Sequence, residues 1–600
     1  MDKNKKILTR FQIGYKKIKK LDLSKMEEQY LEDTTVDYNP FKITKLQSYN
    51  PIYNRFFQMD NDNYNMITLN GRLLAHDLKT VYSENGKMED KKIHIKFSPL
   101  LNPIHFLTGK YDLENEIYRT LPKFDSDTVK CYPKLIDVNN SSYTDAFFSY
   151  LSSMMNDTHG WTHGVEFFGS FLGIQKKFKF DIMDDFDFVN DTPYFLDNIG
   201  KKFELDENAK MLLNNYQGSG SRNNRIKINI MESDNVLLDV DNCELDVVVS
   251  DVLIRDVLTT EDLTEDILTE EFTIDEAVIE DPLIEENDTA STASSDTLST
   301  TSSKTSSSDF SHTSTSVSEN DNSEDDWETA STDNSEATEE TDDKLFCYLY
   351  DFPVQLIFQE KCADTFDSLL LNHIPDDELS SALMQIVMML ITYQKAFDFT
   401  HNDLHTNNIM FIETTEPYLY YYFENTYYKV PTFGRIFKLI DFGRAIYRFN
   451  DKLFCSDSFS PNNDAHSQYN CEPYMNENKP RLDPNHSFDL ARLGCSIYDF
   501  IFDGQIEDKS EKDISDVYKI IRDWCLDDNG KSVVYKRTGQ ERYPGFKLYK
   551  MIARTVHNHI PKEQLKRPIF AAYSVVFNEE FKNKTMNIDT IPKYMISEKK

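Results

Sequence analysis

The sequence predicts an α+β protein of two lobes, a small β-rich one and a large mainly helical one, interrupted by a long disordered acidic insertion. Three observations carry this. Residues 66–101 alternate apolar and polar side chains between turn-prone stretches, as strands do. From Asp377 to Phe399 the apolar residues recur at helical spacing instead. Between Met231 and Lys344 stand 35 acidic and three basic residues, whereas the other 486 carry 67 acidic and 62 basic. The overall charge of −37 therefore belongs to one segment.

The predicted boundaries follow from these shifts: an N-terminal extension over 1–65, the small lobe over 66–230, the acidic Ser/Thr-rich insertion over 231–344, a last small-lobe strand and connector over 345–362, the large lobe over 363–575 and a tail over 576–600. The extension opens with eight Lys or Arg in twenty residues, which reads as a solvated basic arm. Strands are expected in MITLNGRLLAHDL (66–78) and, after the turn-prone SENGKMEDKK, in IHIKF (93–97). Ser142–Leu151 reads as a helix with Phe147, Phe148 and Leu151 on its apolar face and Asp145 on the other. A further strand is expected at 165–174.

Residues 236–287 repeat acid-and-aliphatic units, and 288–343 are mostly Ser, Thr, Asp and Glu. Such a stretch buries too little apolar surface to offset its ordering entropy, so it is expected to be disordered, a linker or a partner-binding segment with possible phosphorylation sites. Order is expected to resume at Leu345 with a strand that runs into a connector at Gln359–Cys362. Six tyrosines between 413 and 435 suggest a hairpin with cross-strand aromatic pairs.

Composition excludes several classes. Near charge balance outside the insertion argues against general affinity for nucleic acid. Eight scattered cysteines without C-x-x-C or His at ligand spacing indicate neither zinc nor a disulfide framework. The longest apolar run is far short of the roughly 20 residues a membrane span needs, and no apolar stretch follows the first lysines. A soluble intracellular protein with reduced thiols is expected.

The motifs with chemical content are HNDLHTNNI at 401–409 and LIDFG at 439–443. Asp403 and Asn408 stand at D-x-x-x-x-N spacing, and Asp441 ends a strand that begins at Ile436. The order supplies one carboxylate able to accept a hydroxyl proton, and an amide and a second carboxylate able to hold Mg²⁺. Downstream, Asp489 to Gly494 gives D-x-x-x-x-G and Arg567-Pro568 follows late in the chain.

In this order these motifs resemble the eukaryotic-type protein kinase superfamily, over about 66–230 and 345–575. HNDLHTNNIM, the Tyr-rich hairpin and IFKLIDFGRAIY are most similar to the serine/threonine kinases of giant DNA viruses of the mimivirus type, which would place the protein in the host cytoplasm or the virion. The resemblance implies a two-lobed protein-kinase-like fold, ATP and Mg²⁺ as cofactors, protein substrates, Asp403 as base or orienter and Asn408 and Asp441 as metal ligands. It implies that Lys96, in the V-A-I-K-like Ile93–Lys96, touches the ATP phosphates, with Asp145 as its acidic partner or as a solvated helix residue. His401 is expected to brace the loop.

Departures matter too. No G-x-G-x-x-G precedes Lys96, so another turn, such as Asn70–Arg72, would have to cover the phosphates. Asn402 replaces the arginine that receives a phosphorylated activation loop, which implies activity without that phosphorylation. His405 stands where serine/threonine kinases carry a lysine. Two alternatives remain open: a pseudokinase scaffold, and a kinase acting on a small-molecule hydroxyl.

Overall fold

Two strands of fifteen residues each, Phe167–Asp181 and Phe346–Glu360, pair antiparallel along nearly their whole length. The first reads FFGSFLGIQKKFKFD and the second FCYLYDFPVQLIFQE, aromatic and branched side chains that suit a pleated, covered surface. A computed structural model describes residues 13–17, 21–34, 38–83, 85–112, 114–183, 185–218, 344–502 and 514–597 of this mixed α+β chain. The acidic insertion expected over 231–344 lies outside the described residues, Lys344 excepted.

The long pair forms the middle of a five-stranded sheet, ordered Ile43–Gln47, Phe167–Asp181, Phe346–Glu360, Ile93–Pro99, with Phe203–Leu205 also on Phe346–Glu360. Lys96 stands opposite Ile357 in this register. Three short strands, Leu73–Ala75, Thr80–Ser83 and Met88–Asp90, make a separate antiparallel sheet just before Ile93.

The expected helix is longer than its apolar pattern suggested. It runs Ser141–His159, begins where the Asn140 side chain accepts from the Ser142 N–H at 3.0 Å, and stops at Gly160, whose φ of +63° suits a residue without Cβ. Every residue from Ser142 to Met155 is buried, Asp145 included, because aromatic side chains cover it on several sides. Phe148 stacks on Phe399 at 4.4 Å and meets Phe442 at 4.7 Å; Phe147 meets Phe454 at 4.9 Å. Each such ring contributes about 2–3 kcal/mol through burial.

Asp376–Phe397 is likewise buried almost all round, from Leu379 to Gln394, where periodicity alone predicted a single apolar face. It ends at Asp398 in the left-handed region (φ +51°) and delivers the chain to Thr400, which bridges Ile446. Strands Ile409–Glu413 and Arg435–Leu439 then pair antiparallel, Ile409 opposite Leu439. Between them the tyrosine segment forms the hairpin Tyr418–Phe423 and Thr426–Pro431, with Tyr421 opposite Tyr428 and Tyr422 opposite Tyr427.

Both chain ends differ from expectation. Tyr15–Lys17 pairs with Ile67–Leu69, Met26 is buried, and Ile43–Gln47 belongs to the main sheet, so most of the predicted N-terminal extension is folded. Near the other end, Thr585–Asn587 lies parallel to Tyr418–Phe423 and Tyr594 is fully buried. Their apolar residues are too sparse to show a period, yet each end pairs with a strand or is buried against the core. The seven described cysteines are buried free thiols, and Cys243 lies outside the described residues. Among the described residues no helix is long and apolar enough to cross a membrane.

Candidate active site

Strand Ile93–Pro99, helix Ser141–His159 and the loop after Arg435–Leu439 each present one charged side chain to the same point. Lys96 Nζ lies 2.7 Å from Asp145 Oδ2 and 2.9 Å from Asp441 Oδ1. The other Asp145 oxygen, Oδ1, accepts the Phe442 N–H at 3.0 Å, so one carboxylate ties strand, helix and loop together. Phe442 is buried against Phe148 and the His401 ring.

The electrostatics follow from this geometry. Burial alone would lower the Lys96 ammonium, but the two carboxylates hold it above its ordinary range. Burial pushes Asp145 up, opposed by Lys96 and aided by nearby Asp441. Asp441 ends below its usual range because Lys96 outweighs its desolvation. One cation thus faces two carboxyls, and the Asp441 side chain is 46% exposed against 2% for Asp145. The surplus negative charge sits on the open side.

Asp403 and Asn408 lie on the loop between Thr400 and Ile409. Asp489, fully buried on helix Phe488–Phe502, accepts the His401 and Asn402 N–H groups at 2.9 Å each and so fixes the loop from beneath. The same helix needs Gly494, since a Cβ there would stand 2.8 Å from the Trp524 Cβ. His401 Nε2 meets the Ile440 carbonyl at 2.9 Å. Asn402 and Asp441 both take left-handed φ, +63° and +58°, at a cost of about 1 kcal/mol each. Hydrogen bonds from Asn402 Nδ2 to the Arg444 carbonyl (3.0 Å) and from the Tyr469 hydroxyl to Asn402 Oδ1 (2.7 Å) offset it.

The Asn408 amide is oriented by its neighbours. Nδ2 donates to the Asp403 carbonyl at 2.9 Å and meets His405 Nε2 at 3.1 Å. Burial lowers His405 to about 4, which keeps that nitrogen available as an acceptor. Asn408 Oδ1 is therefore the atom left for a ligand.

Around Asp403 the structure adds residues that spacing did not reveal. Oδ1 accepts the Tyr549 hydroxyl at 2.7 Å, and Oδ2 lies 3.3 Å from the Arg444 guanidinium. The guanidinium carbons of Arg444 and Arg492 lie 5.6 and 5.0 Å from the centre of the Tyr549 ring. Burial would raise the Asp403 carboxyl, but Arg444, with His405 and Arg492 behind it, pulls it down to about 2. Arg444 follows the LIDFG motif directly, a usable signal. Tyr549 stands 146 residues beyond Asp403 and gave none.

The structure thus joins Lys96, Asp145 and Asp441 by direct contact, and Asn408 to Asp403 through its backbone. The Asn70–Arg72 turn is tied elsewhere: Asn70 Oδ1 accepts from Gly14 N and the Tyr150 hydroxyl, and Arg72 pairs with Asp157 and Glu166. Among the described residues no three His, Cys, Asp or Glu side chains cluster as metal ligands. The oxygens of Asn408 and Asp441 suit Mg²⁺ all the same, because that ion takes one or two protein oxygens and completes its shell with phosphates and water. Compared with models of known protein families and with curated proteins, the chain matches none.

Proposed function

We propose that the chain is a two-lobed protein kinase of the eukaryotic type that transfers the γ-phosphoryl group of ATP to Ser or Thr hydroxyls of proteins. The observation that carries this reading is the contact of Lys96 with both Asp145 and Asp441, beside a loop that holds Asp403 and orients Asn408. Phosphoryl transfer asks mainly for positioning and charge neutralisation, and this constellation offers both.

In this reading Lys96 binds the α and β phosphates and is itself held by Asp145. Asn408 Oδ1 and Asp441 would hold Mg²⁺, which neutralises charge developing on the phosphates. The acceptor oxygen bonds to the γ-phosphorus while the bond from that phosphorus to the β–γ bridging oxygen breaks. The hydroxyl proton leaves toward Asp403 Oδ2 or the transferred phosphoryl oxygens. With its carboxyl at about 2, Asp403 orients the hydroxyl more than it removes a proton early.

A second reading, nucleotide binding without transfer, has one observation in its favour: the Tyr549 hydroxyl already occupies Asp403 Oδ1. One experiment separates them. Purified chain with Mg²⁺ and γ-labelled ATP is expected to label protein acceptors, and Asp403→Ala and Asp441→Ala to lose that label while remaining folded by circular dichroism. ATP binding with no label on protein or small-molecule acceptors would favour the second reading.

A further inference from the structure

The helix that brings Tyr549 to Asp403, Phe546–Thr555, closes a strongly basic stretch. Residues 529–555 hold seven lysines and arginines against one acid, Glu541, in a chain whose residues outside 231–344 are nearly balanced. Lys531, Lys536 and Arg537 are exposed and make no ion pair among the described residues; Lys547 is exposed two positions before Tyr549. Arg542 and Arg492 each keep a buried Nε without a hydrogen-bond partner among the described residues. Beside Asp403, Arg444 pairs with the carboxylate and its guanidinium lies 5.6 Å from the Tyr549 ring, with Arg492 buried against the same ring. The positive surplus of 529–555 is the reverse of the Lys96–Asp145–Asp441 group, where two carboxyls face one cation.

Complementary charge lies in the same chain. Residues 305–343 contain thirteen acids and no lysine or arginine, and seven of their Ser and Thr residues are followed directly by Asp or Glu, as at Ser323-Glu324. The segment ends next to Lys344, two residues before strand Phe346–Glu360 begins. The segment is 39 residues long and is joined to that strand at its C-terminal end. Tethering makes its local concentration millimolar, above that of a dilute partner.

We infer that the basic face formed by 529–555 docks the acidic segment 305–343 of the same chain, and that Ser and Thr residues followed by acids there are acceptors for the Asp403 site. The acceptor half rests on the phosphotransfer reading; the docking half does not. Arg444, a quarter exposed, meets the acid that follows the acceptor hydroxyl, while Asp403 Oδ2, the oxygen Tyr549 leaves open, receives the hydroxyl. The Ser or Thr Oγ–phosphorus bond forms, the β–γ bridge bond breaks, ADP departs, and the proton passes to Asp403 or to the product phosphate.

The test uses the full chain. A zero-length carbodiimide, which joins lysine amines to carboxylates, is expected to link Lys531, Lys536 or Lys547 to acids within 305–343 at low salt, and to lose those links at high salt. With Mg²⁺ and ATP, phosphate mapped by mass spectrometry should concentrate on acid-followed Ser and Thr of 305–343. A Lys536→Glu, Arg537→Glu, Lys547→Glu chain should lose the links and at least about tenfold of that labelling. Asp403→Ala should lose the label and keep the links. Links from these lysines to other carboxylates only, or their displacement by an equimolar nucleic acid, would overturn the docking. Links without label on any acceptor would remove the phosphotransfer reading and the acceptor half with it. Label on neutral-flanked peptides in preference to 305–343 would overturn the acceptor half and leave phosphotransfer standing.

Discussion

At the scale of single residues, Lys96, Asp145 and Asp441 form one electrostatic unit. Removing one carboxylate leaves the ammonium under-compensated, and removing the ammonium leaves two buried or half-buried carboxyls in mutual repulsion. Lys96→Met and Asp145→Asn are each expected to lower kcat/KM by on the order of 10²-fold, with the double variant little worse than either single one. Losses that multiply in the double-mutant cycle would show that the two act separately. Lys96 was legible only through the resemblance of Ile93–Lys96 to V-A-I-K, since alternation alone reads it as an exposed lysine on a strand. Asp145 was not distinguishable from a solvated helix residue, because its helix is covered by Phe399, Phe442 and Tyr447, up to about 300 residues away in the chain. An aspartate is long enough here: Oδ2 reaches Lys96 at 2.7 Å while Oδ1 anchors the Phe442 amide.

At the scale of elements, the position of helix Ser141–His159 decides whether Asp145 reaches Lys96, and its N-terminus is held by Asp457. Asp457 Oδ1 accepts the Ser141 N–H at 3.0 Å, its other oxygen pairs with Lys134, and its own N–H donates to the Asn139 carbonyl at 2.8 Å. A carboxylate 3% exposed at a helix N-terminus complements the helix dipole and satisfies an unpaired donor. Asn402 is buried and spends its side chain on Thr400, Arg444 and Tyr469. In the phosphotransfer reading proposed above, the fixed Asp457 carboxylate leaves no need for an added phosphate to hold the helix. Asp457→Ala is expected to cost roughly 3 kcal/mol by leaving Lys134 unpaired, and to speed amide exchange at 141–146. Phosphatase treatment of the wild-type chain should leave its transfer rate unchanged, and a rate that collapses on such treatment would contradict this account. Long periodic elements such as Asp376–Phe397 were readable in the sequence, whereas the Asp457 latch was not. It joins a short turn to a helix N-terminus over more than 300 residues, and no local pattern records such a contact.

At the scale of the whole molecule, one consequence concerns acid stability. His105, His163 and His405 are each lowered to about 4, in every case chiefly by burial. His163 is fully buried, bonded on one side to the Phe437 carbonyl and on the other to the Tyr421 hydroxyl at 2.7 Å each, and it thereby joins the segment after Trp161 to the tyrosine hairpin. An unfolded histidine titrates near 6.5. Between that pH and about 4 the unfolded chain therefore binds more protons than the folded one at these sites, and stability rises with pH across the window. Buried Asp145, Asp489 and Asp137, whose carboxyls burial pushes up, act in the opposite sense, but toward the acid end, where carboxylates titrate. From pH 7 to 5 the histidines dominate, so the urea midpoint should fall steadily over that interval. His163→Gln should lower the midpoint at pH 7 through its lost hydrogen bonds, yet reduce the slope with pH. A midpoint constant between pH 7 and 5, or a slope unchanged by His163→Gln, would mean that the buried imidazoles take up protons without unfolding and that the hairpin junction is open to water.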